Sequence, residues 1–152
     1  MLQVGDAAPN FAARSQHGSL VRLSDYRGSK VALYFYPRDN TPGCTKQSCN
    51  LRDHVTVLAS HGITVLGISG DSVESHEKFA QKYRLPFLLL ADTDKTIVNE
   101  YGVWGEKKMY GRTFLGIKRT TFFIDEEGVI QHIFKRPKVL QHAEEILKVS
   151  QS

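Results

Sequence analysis

The chain holds two cysteines, Cys44 and Cys49, both inside the stretch PRDNTPGCTKQSC that runs from residue 37 to 49. Two thiols so placed admit three kinds of chemistry: a structural disulfide, a metal clip, or a reactive thiol with a helper. Local physical chemistry separates them. Thr41 is a good helix N-cap and Pro42 suits the first helical position, so the sequence predicts a helix opening here. That register puts Gly43 at the second helical position and Cys44 at the third. The Cys44 sulfur then sits in the first turn, beside free backbone N–H groups and the positive end of the helix dipole, surroundings that lower a thiol pKa.

Ionisation alone explains little of a catalytic rate. A thiol of pKa about 8.5 is a few per cent thiolate at pH 7, so complete ionisation gains roughly thirtyfold at most. The remainder has to come from donors aimed at charge that develops in the transition state. The Thr41 hydroxyl and the N–H groups of Gly43 and Cys44 are near enough, and a cation from elsewhere in the fold would complete the set.

The spacing of the cysteines adds a mechanical constraint. Five residues of ideal helix separate their Cα atoms by about 8.7 Å, whereas a disulfide needs about 4.4–6.8 Å with converging side chains. The two thiols therefore cannot bridge across an intact helix, and any bridge requires its first turns to unwind. A zinc site would call for a second tight pair of ligands. His54 continues the interval of five but shares no helical face with the cysteines, and the remaining histidines are scattered. No metal site is expected.

The surrounding sequence reads as one domain spanning residues 1–152. Apolar residues make up 41% and charged residues 24%, which is ordinary globular usage. The net charge of +4 is spread among interspersed acids and bases. The pairs Lys107-Lys108 and Lys135-Arg136 read as solvated surface, with no nucleic-acid site implied. The start MLQVGDAAPNF lacks a basic and an apolar signal region, and no apolar run is long enough to cross a bilayer. The expected setting is cytoplasmic, without membrane contact, where a permanent disulfide is disfavoured. Alternating patterns predict a strand over 31–36, a helix from 42 to the stop at His61-Gly62, and a strand over 63–69. A helix over 72–83, a strand over 86–91 and a short helix ending at Gly102 follow, then a hairpin over 119–134 and a closing helix over 139–150. This order implies an α/β domain with a mixed central sheet flanked by helices, behind an N-terminal extension with short strand signals near residues 19–23. Its βαβ unit followed by a ββα unit is the thioredoxin-like arrangement. A dinucleotide fold is disfavoured because the first turn carries no G-x-G-x-x-G.

These motifs resemble a known family. PRDNTPGC matches the P-x-x-x-[TS]-x-x-C motif of peroxiredoxins, and TPGCTKQSC is similar to the branch called peroxiredoxin Q or bacterioferritin comigratory protein. VLGISGD, YGVWGEK, MYGR, GIKRTTFFID and GVI continue the resemblance in order along nearly the whole chain. It implies a thiol-dependent peroxidase acting on hydrogen peroxide and organic hydroperoxides, with no metal, haem or flavin cofactor. Cys44 would be the peroxidatic cysteine, oxidised to a sulfenic acid, and Cys49 the resolving cysteine that closes an intramolecular disulfide. Thr41 would bond the sulfur or the peroxide, Pro37 would shape the pocket and Gly43 would offer its N–H to substrate. Arg119 matches the arginine that lowers the thiolate pKa and stabilises the departing oxygen, although without the resemblance Arg112 or Arg38 would be equal candidates for that cation. The resemblance further implies a thioredoxin-like reductant and a monomeric protein. A general disulfide oxidoreductase on the same fold would be expected to carry C-x-x-C, which is absent. A non-enzymatic redox sensor would show no catalytic recycling.

Overall fold

The computed structural model describes residues 1–151. Its organising element is the strand β3 (Lys30–Phe35), whose β-branched and aromatic residues are buried on both faces, as expected of a central strand in a layered α/β domain. Val31, Leu33 and Phe35 point into one apolar cluster, and Ala32, Tyr34 and the following Tyr36 into another. β3 pairs in parallel with β4 (Ile63–Ser69), and β4 in parallel with β5 (Leu88–Ala91). On its other side β3 pairs antiparallel with β8 (Thr120–Ile124), which pairs antiparallel with β9 (Ile130–Phe134). A hairpin of β1 (Ala12–Ser15) and β2 (Leu20–Arg22) adds to β5, completing a seven-stranded sheet in the order β2-β1-β5-β4-β3-β8-β9.

One face is covered by α1 (Pro42–Asp53), α2 (Val55–Ser60), α3 (Val73–Tyr83) and α5 (His142–Ser150), which contribute Cys44, Leu51, Leu58, Phe79 and Ile146 to the second cluster. The short α4 (Thr96–Glu100) contributes Ile97 and Val98 to the opposite cluster. The mixed sheet, the βαβ unit and the late hairpin are those expected from the sequence.

Three details differ from the sequence reading. The helix expected to run to His61-Gly62 is broken at His54. There the side chain takes over a backbone role: Nδ1 lies 2.8 Å from the Asn50 carbonyl, the acceptor that the His54 N–H would use in an unbroken helix. The His54 N–H bonds instead to the Leu51 carbonyl at 3.3 Å. Secondly, residues 104–117 form a hairpin of β6 (Trp104–Met109) and β7 (Arg112–Ile117), a separate two-stranded sheet. Its connection is the two-residue turn Tyr110-Gly111, both at positive φ, which lacks the Asn-Gly or Asp-Gly signal of such turns. The closing helix, thirdly, begins at His142 instead of residue 139. Among the described residues no helix is long and apolar enough to cross a membrane.

Candidate active site

The loop leaving β3 delivers residues 37–41 to the N-terminus of α1. Thr41 occupies the N-cap position with extended backbone, and Pro42 opens the helix. Cys44 is buried with 1% exposure while Cys49, farther along the same intact helix, is half-buried; both thiols are free. The first turn leaves the N–H groups of Gly43 and Cys44 outside the helical ladder, which starts with the Thr45 N–H bonding to the Thr41 carbonyl at 2.8 Å.

Sheet pairing supplies the cation. Residue Thr120 of β8 is opposite Phe35 of β3, so Arg119 emerges beside the end of β3 from which the cysteine loop departs. Its Nη2 donates to the Cys44 sulfur at 3.3 Å and its Nη1 to Gln47 Oε1 at 2.6 Å. One planar guanidinium thus spans a helical turn, gripping residue 47 while aiming at residue 44. Lysine, a point charge on one nitrogen, lacks the rigid fork that fixes both bonds in one plane. Gln47 is fully buried, and its Nε2 has no hydrogen-bond partner among the described residues. An unpaired buried amide costs about 1–3 kcal/mol, a cost retained here beside a residue that orients the arginine. Gly43 is also fitted to it: a Cβ at this position would lie 3.1 Å from Arg119 Nη2.

The other expected site residues lie in the same loop. Pro37 is half-buried directly after the end of β3 and Tyr36. The Thr41 hydroxyl donates to the Arg38 carbonyl at 2.9 Å and makes no side-chain capping bond. Its proton is therefore directed back along the loop, which leaves its oxygen as an acceptor toward the first turn. Arg38 and Arg112 are both exposed, and of the three arginines Arg119 is the one bonded to the sulfur.

Lys107 corrects the solvated-surface reading of the Lys107-Lys108 pair. Half-buried in the β6–β7 hairpin, it donates from Nζ to the Ile117 carbonyl at 3.0 Å. Burial holds its ammonium below the ordinary lysine range and the charge of Arg119 pushes the same way, while the negative charge of Cys44 pulls it back up. It is a second cation within electrostatic reach of the thiol. Sequence could not reveal it, because the hairpin that turns it inward carried no strand signal.

The second half of α1 is fixed by different partners. Ser48, fully buried, shares a hydrogen bond of 2.9 Å with the Tyr34 hydroxyl. Burial drives that phenol far above its ordinary range, so it remains a neutral hydroxyl. Space for the Tyr34 ring comes from Gly67, its register partner on β4, where a Cβ would stand 2.9 Å from ring atoms. Asn50 then joins α1 to α5. Its Oδ1 accepts from the Ala143 N–H at 2.7 Å, and its Nδ2 donates to the Leu140 carbonyl at 3.0 Å and to Glu144 Oε1 at 3.2 Å.

One cluster could suggest a metal. Asp39, Asp71 and His76 place potential ligand atoms within 4.8 Å of one another. Those atoms are already committed to donors: Asp71 Oδ2 accepts from the Asp39 N–H at 2.8 Å and the Ser69 hydroxyl at 2.6 Å, and His76 Nδ1 faces Asp39 Oδ2 at 2.7 Å. The cluster is thus accounted for as an internal hydrogen-bonded network.

The sequence profile of the AhpC/TSA family matches residues 4–133. The chain is 45% identical over 146 residues to peroxiredoxin Bcp of Escherichia coli, covering 96% of this chain and 94% of that protein. Among solved structures, a cysteine-to-serine variant of PrxQ from Xylella fastidiosa superposes with a TM-score of 0.91 at 34% identity, covering 97% of this chain and 94% of the other. Xanthomonas campestris bacterioferritin comigratory protein, studied for its alkyl peroxide reduction activity, gives a TM-score of 0.87 at 33% identity, with 93% and 90% covered.

Proposed function

Because the chain belongs to the AhpC/TSA family and to its peroxiredoxin Bcp branch, it is a thiol-dependent peroxidase, and we propose how its residues divide that work. The Cys44 thiolate attacks the terminal oxygen of hydrogen peroxide or an organic hydroperoxide. A sulfur–oxygen bond forms as the oxygen–oxygen bond breaks, and the departing alkoxide or hydroxide takes a proton to leave as alcohol or water. Cys44 becomes a sulfenic acid. Arg119 stabilises negative charge on the sulfur and then on the leaving oxygen, a displacement of a few ångströms that its fork can follow. The Thr41 oxygen accepts the hydroperoxide O–H, the N–H groups of Gly43 and Cys44 meet the oxygens, and Pro37 walls the loop side of the site.

Cys49 completes the cycle. The first turns of α1 unwind, the Cys49 sulfur attacks the sulfenic sulfur, and water leaves as the Cys44–Cys49 bond forms. A thioredoxin-type dithiol then reduces that bond by exchange. The whole machinery belongs to a single domain over residues 1–152, with no second subunit required. The observation that carries this assignment is the 3.3 Å contact between Arg119 Nη2 and the buried Cys44 sulfur at the start of α1.

Peroxide titration of the reduced protein tests it. One equivalent should consume two thiols per chain, and mass spectrometry should locate a Cys44–Cys49 bond. Cys44→Ser should abolish turnover. Cys49→Ser should retain a single peroxide-consuming event and lose recycling by thioredoxin. Thioredoxin-dependent turnover in Cys44→Ser would refute the assignment.

A further inference from the structure

Upstream of the thiol lies a buried polar network that the chemistry above leaves unused. Asp39, five residues before Cys44, has a side chain only 4% exposed, and His76 on α3 is fully buried. The Asp39 carboxylate accepts from the Tyr36 hydroxyl at 2.5 Å and the Ser75 hydroxyl at 2.8 Å, and its Oδ2 shares a proton with His76 Nδ1 across 2.7 Å. His76 Nε2 faces the Leu90 carbonyl of β5 at 3.0 Å, so that nitrogen carries a hydrogen. Asp71 holds the Asp39 N–H from the far side. The next residue, Asn40, adopts the left-handed conformation at φ 60° and accepts from Lys82 Nζ at 3.3 Å and the Tyr83 hydroxyl at 3.2 Å, at the end of α3. None of these partners belongs to α1. Through residues 39 and 40 the loop is tied to Tyr36 just after β3, to Asp71 just after β4 and to α3, whose His76 in turn meets Leu90 of β5.

We propose that Asp39 and His76 are positioning residues of the peroxidase reaction: their buried pair pins the upstream end of the cysteine turn, so that unwinding is confined to residues 41–46 and the folded, peroxide-attacking turn is favoured over the open, disulfide-forming one. This rests on the Cys44–Cys49 cycle proposed above. Two boundaries give the idea its content. Upstream, residues 39 and 40 are clamped; downstream, Ser48 is bonded to Tyr34 and Asn50 to α5. Between them, residues 41–46 have as their links outside the helix the Thr41 bond to Arg38 and the Arg119 bond to Cys44. A turn held at its base refolds into the attacking geometry instead of sampling the many states of a free loop.

The test uses the full-length reduced protein and compares Asp39→Ala, which cuts the clamp, with Asp39→Asn, which keeps the hydrogen bonds by accepting His76 as its neutral tautomer. Amide exchange in Asp39→Ala should speed about tenfold at Thr45 and Lys46, the first amides of the ladder within residues 41–46, the loss expected for a hydrogen bond to a charged group. Exchange at residues 48–53 and in β3 and β8 should stay as in the unaltered protein. In single turnover, attack by peroxide should slow while closure of the sulfenic acid to disulfide should quicken, so the ratio of the two rates falls. Asp39→Asn should restore most of it. If Asp39→Ala does not fold, Ser75→Ala removes one donor from the same carboxylate and should give about a threefold change at residues 41–46. Unchanged exchange at residues 41–46 would overturn the proposal, as would a rise spread evenly through the chain with the rate ratio preserved. Failure of the unaltered protein to form a Cys44–Cys49 bond would strike the proposed cycle instead, and the exchange pattern would still decide whether the clamp exists.

Discussion

The two halves of α1 are built on opposite plans. From Thr41 to Lys46 the helix touches its surroundings through one buried side chain, Cys44, and that side chain is held by an arginine 75 residues away. From Gln47 to Asp53 it presents three fully buried residues, Gln47, Ser48 and Leu51, with bonds to Tyr34, Arg119 and the start of α5. Helix formation is cooperative, so a helix with uniform anchoring would resist opening along its length. Concentrating the anchors in one half places Cys49 on the firmly held part of α1 and Cys44 on a lightly held turn. In the proposed cycle the five-residue spacing, which forbids a bridge in the closed helix, then requires only Cys44 to travel.

Three substitutions sharpen or break this contrast. The largest effect is expected at Arg119, which hydrogen-bonds to both halves. Arg119→Met should lower kcat/KM for peroxide by about a hundredfold or more, the scale for losing a donor aimed at developing charge. Stopped-flow consumption of peroxide measures it, and a loss below threefold would show that the contact to sulfur is incidental. Next is Ser48→Ala, which strikes only the fixed half. It leaves the buried Tyr34 hydroxyl unpaired at a cost of about 1–3 kcal/mol, visible as a lowered Tm, while the rate of peroxide attack stays within about twofold of the unaltered protein. A large rate loss there would mean that the halves are mechanically one. The smallest effect is Gly43→Ala. Alanine favours the helix over glycine by about 1 kcal/mol, yet its Cβ would crowd Arg119 Nη2 at 3.1 Å. Stability should rise while peroxide attack slows about threefold, since displacement by a few tenths of an ångström is felt at a reacting centre. Changes of the same sign would contradict the idea that the lightly held turn is shaped for its arginine and not for its own stability.

Legibility of the fold followed the strength of local patterns. β3 and β4 announced themselves as compact β-branched and aromatic runs, and α1 by a threonine, a proline and apolar residues at helical spacing. The β6–β7 hairpin did not, because its Glu106, Lys107 and Lys108 are poor strand residues and the pair joins no central sheet. The break at His54 was equally hidden. Nothing in the linear pattern distinguishes a histidine that continues a helix from one whose ring occupies the carbonyl four residues back. The network around Asp39 was invisible for the same reason: its partners at 36, 71, 75, 76 and 90 come together only when α3 and β5 pack beside the loop.

By itself the sequence determined where Cys44 sits in the helix and the constraint on its pairing with Cys49. A threonine-proline-glycine-cysteine start puts Cys44 in the first turn of a helix, and helical geometry makes Cys49 too distant for a bridge until that turn opens. Both follow from backbone geometry, which is local. Tertiary structure alone decided which of three arginines meets the sulfur, because the choice depends on β8 lying antiparallel beside β3. It also decided which half of α1 is densely anchored and which is lightly held. Those outcomes rest on contacts between residues tens of positions apart, and such contacts come into being only when the chain has closed its sheet.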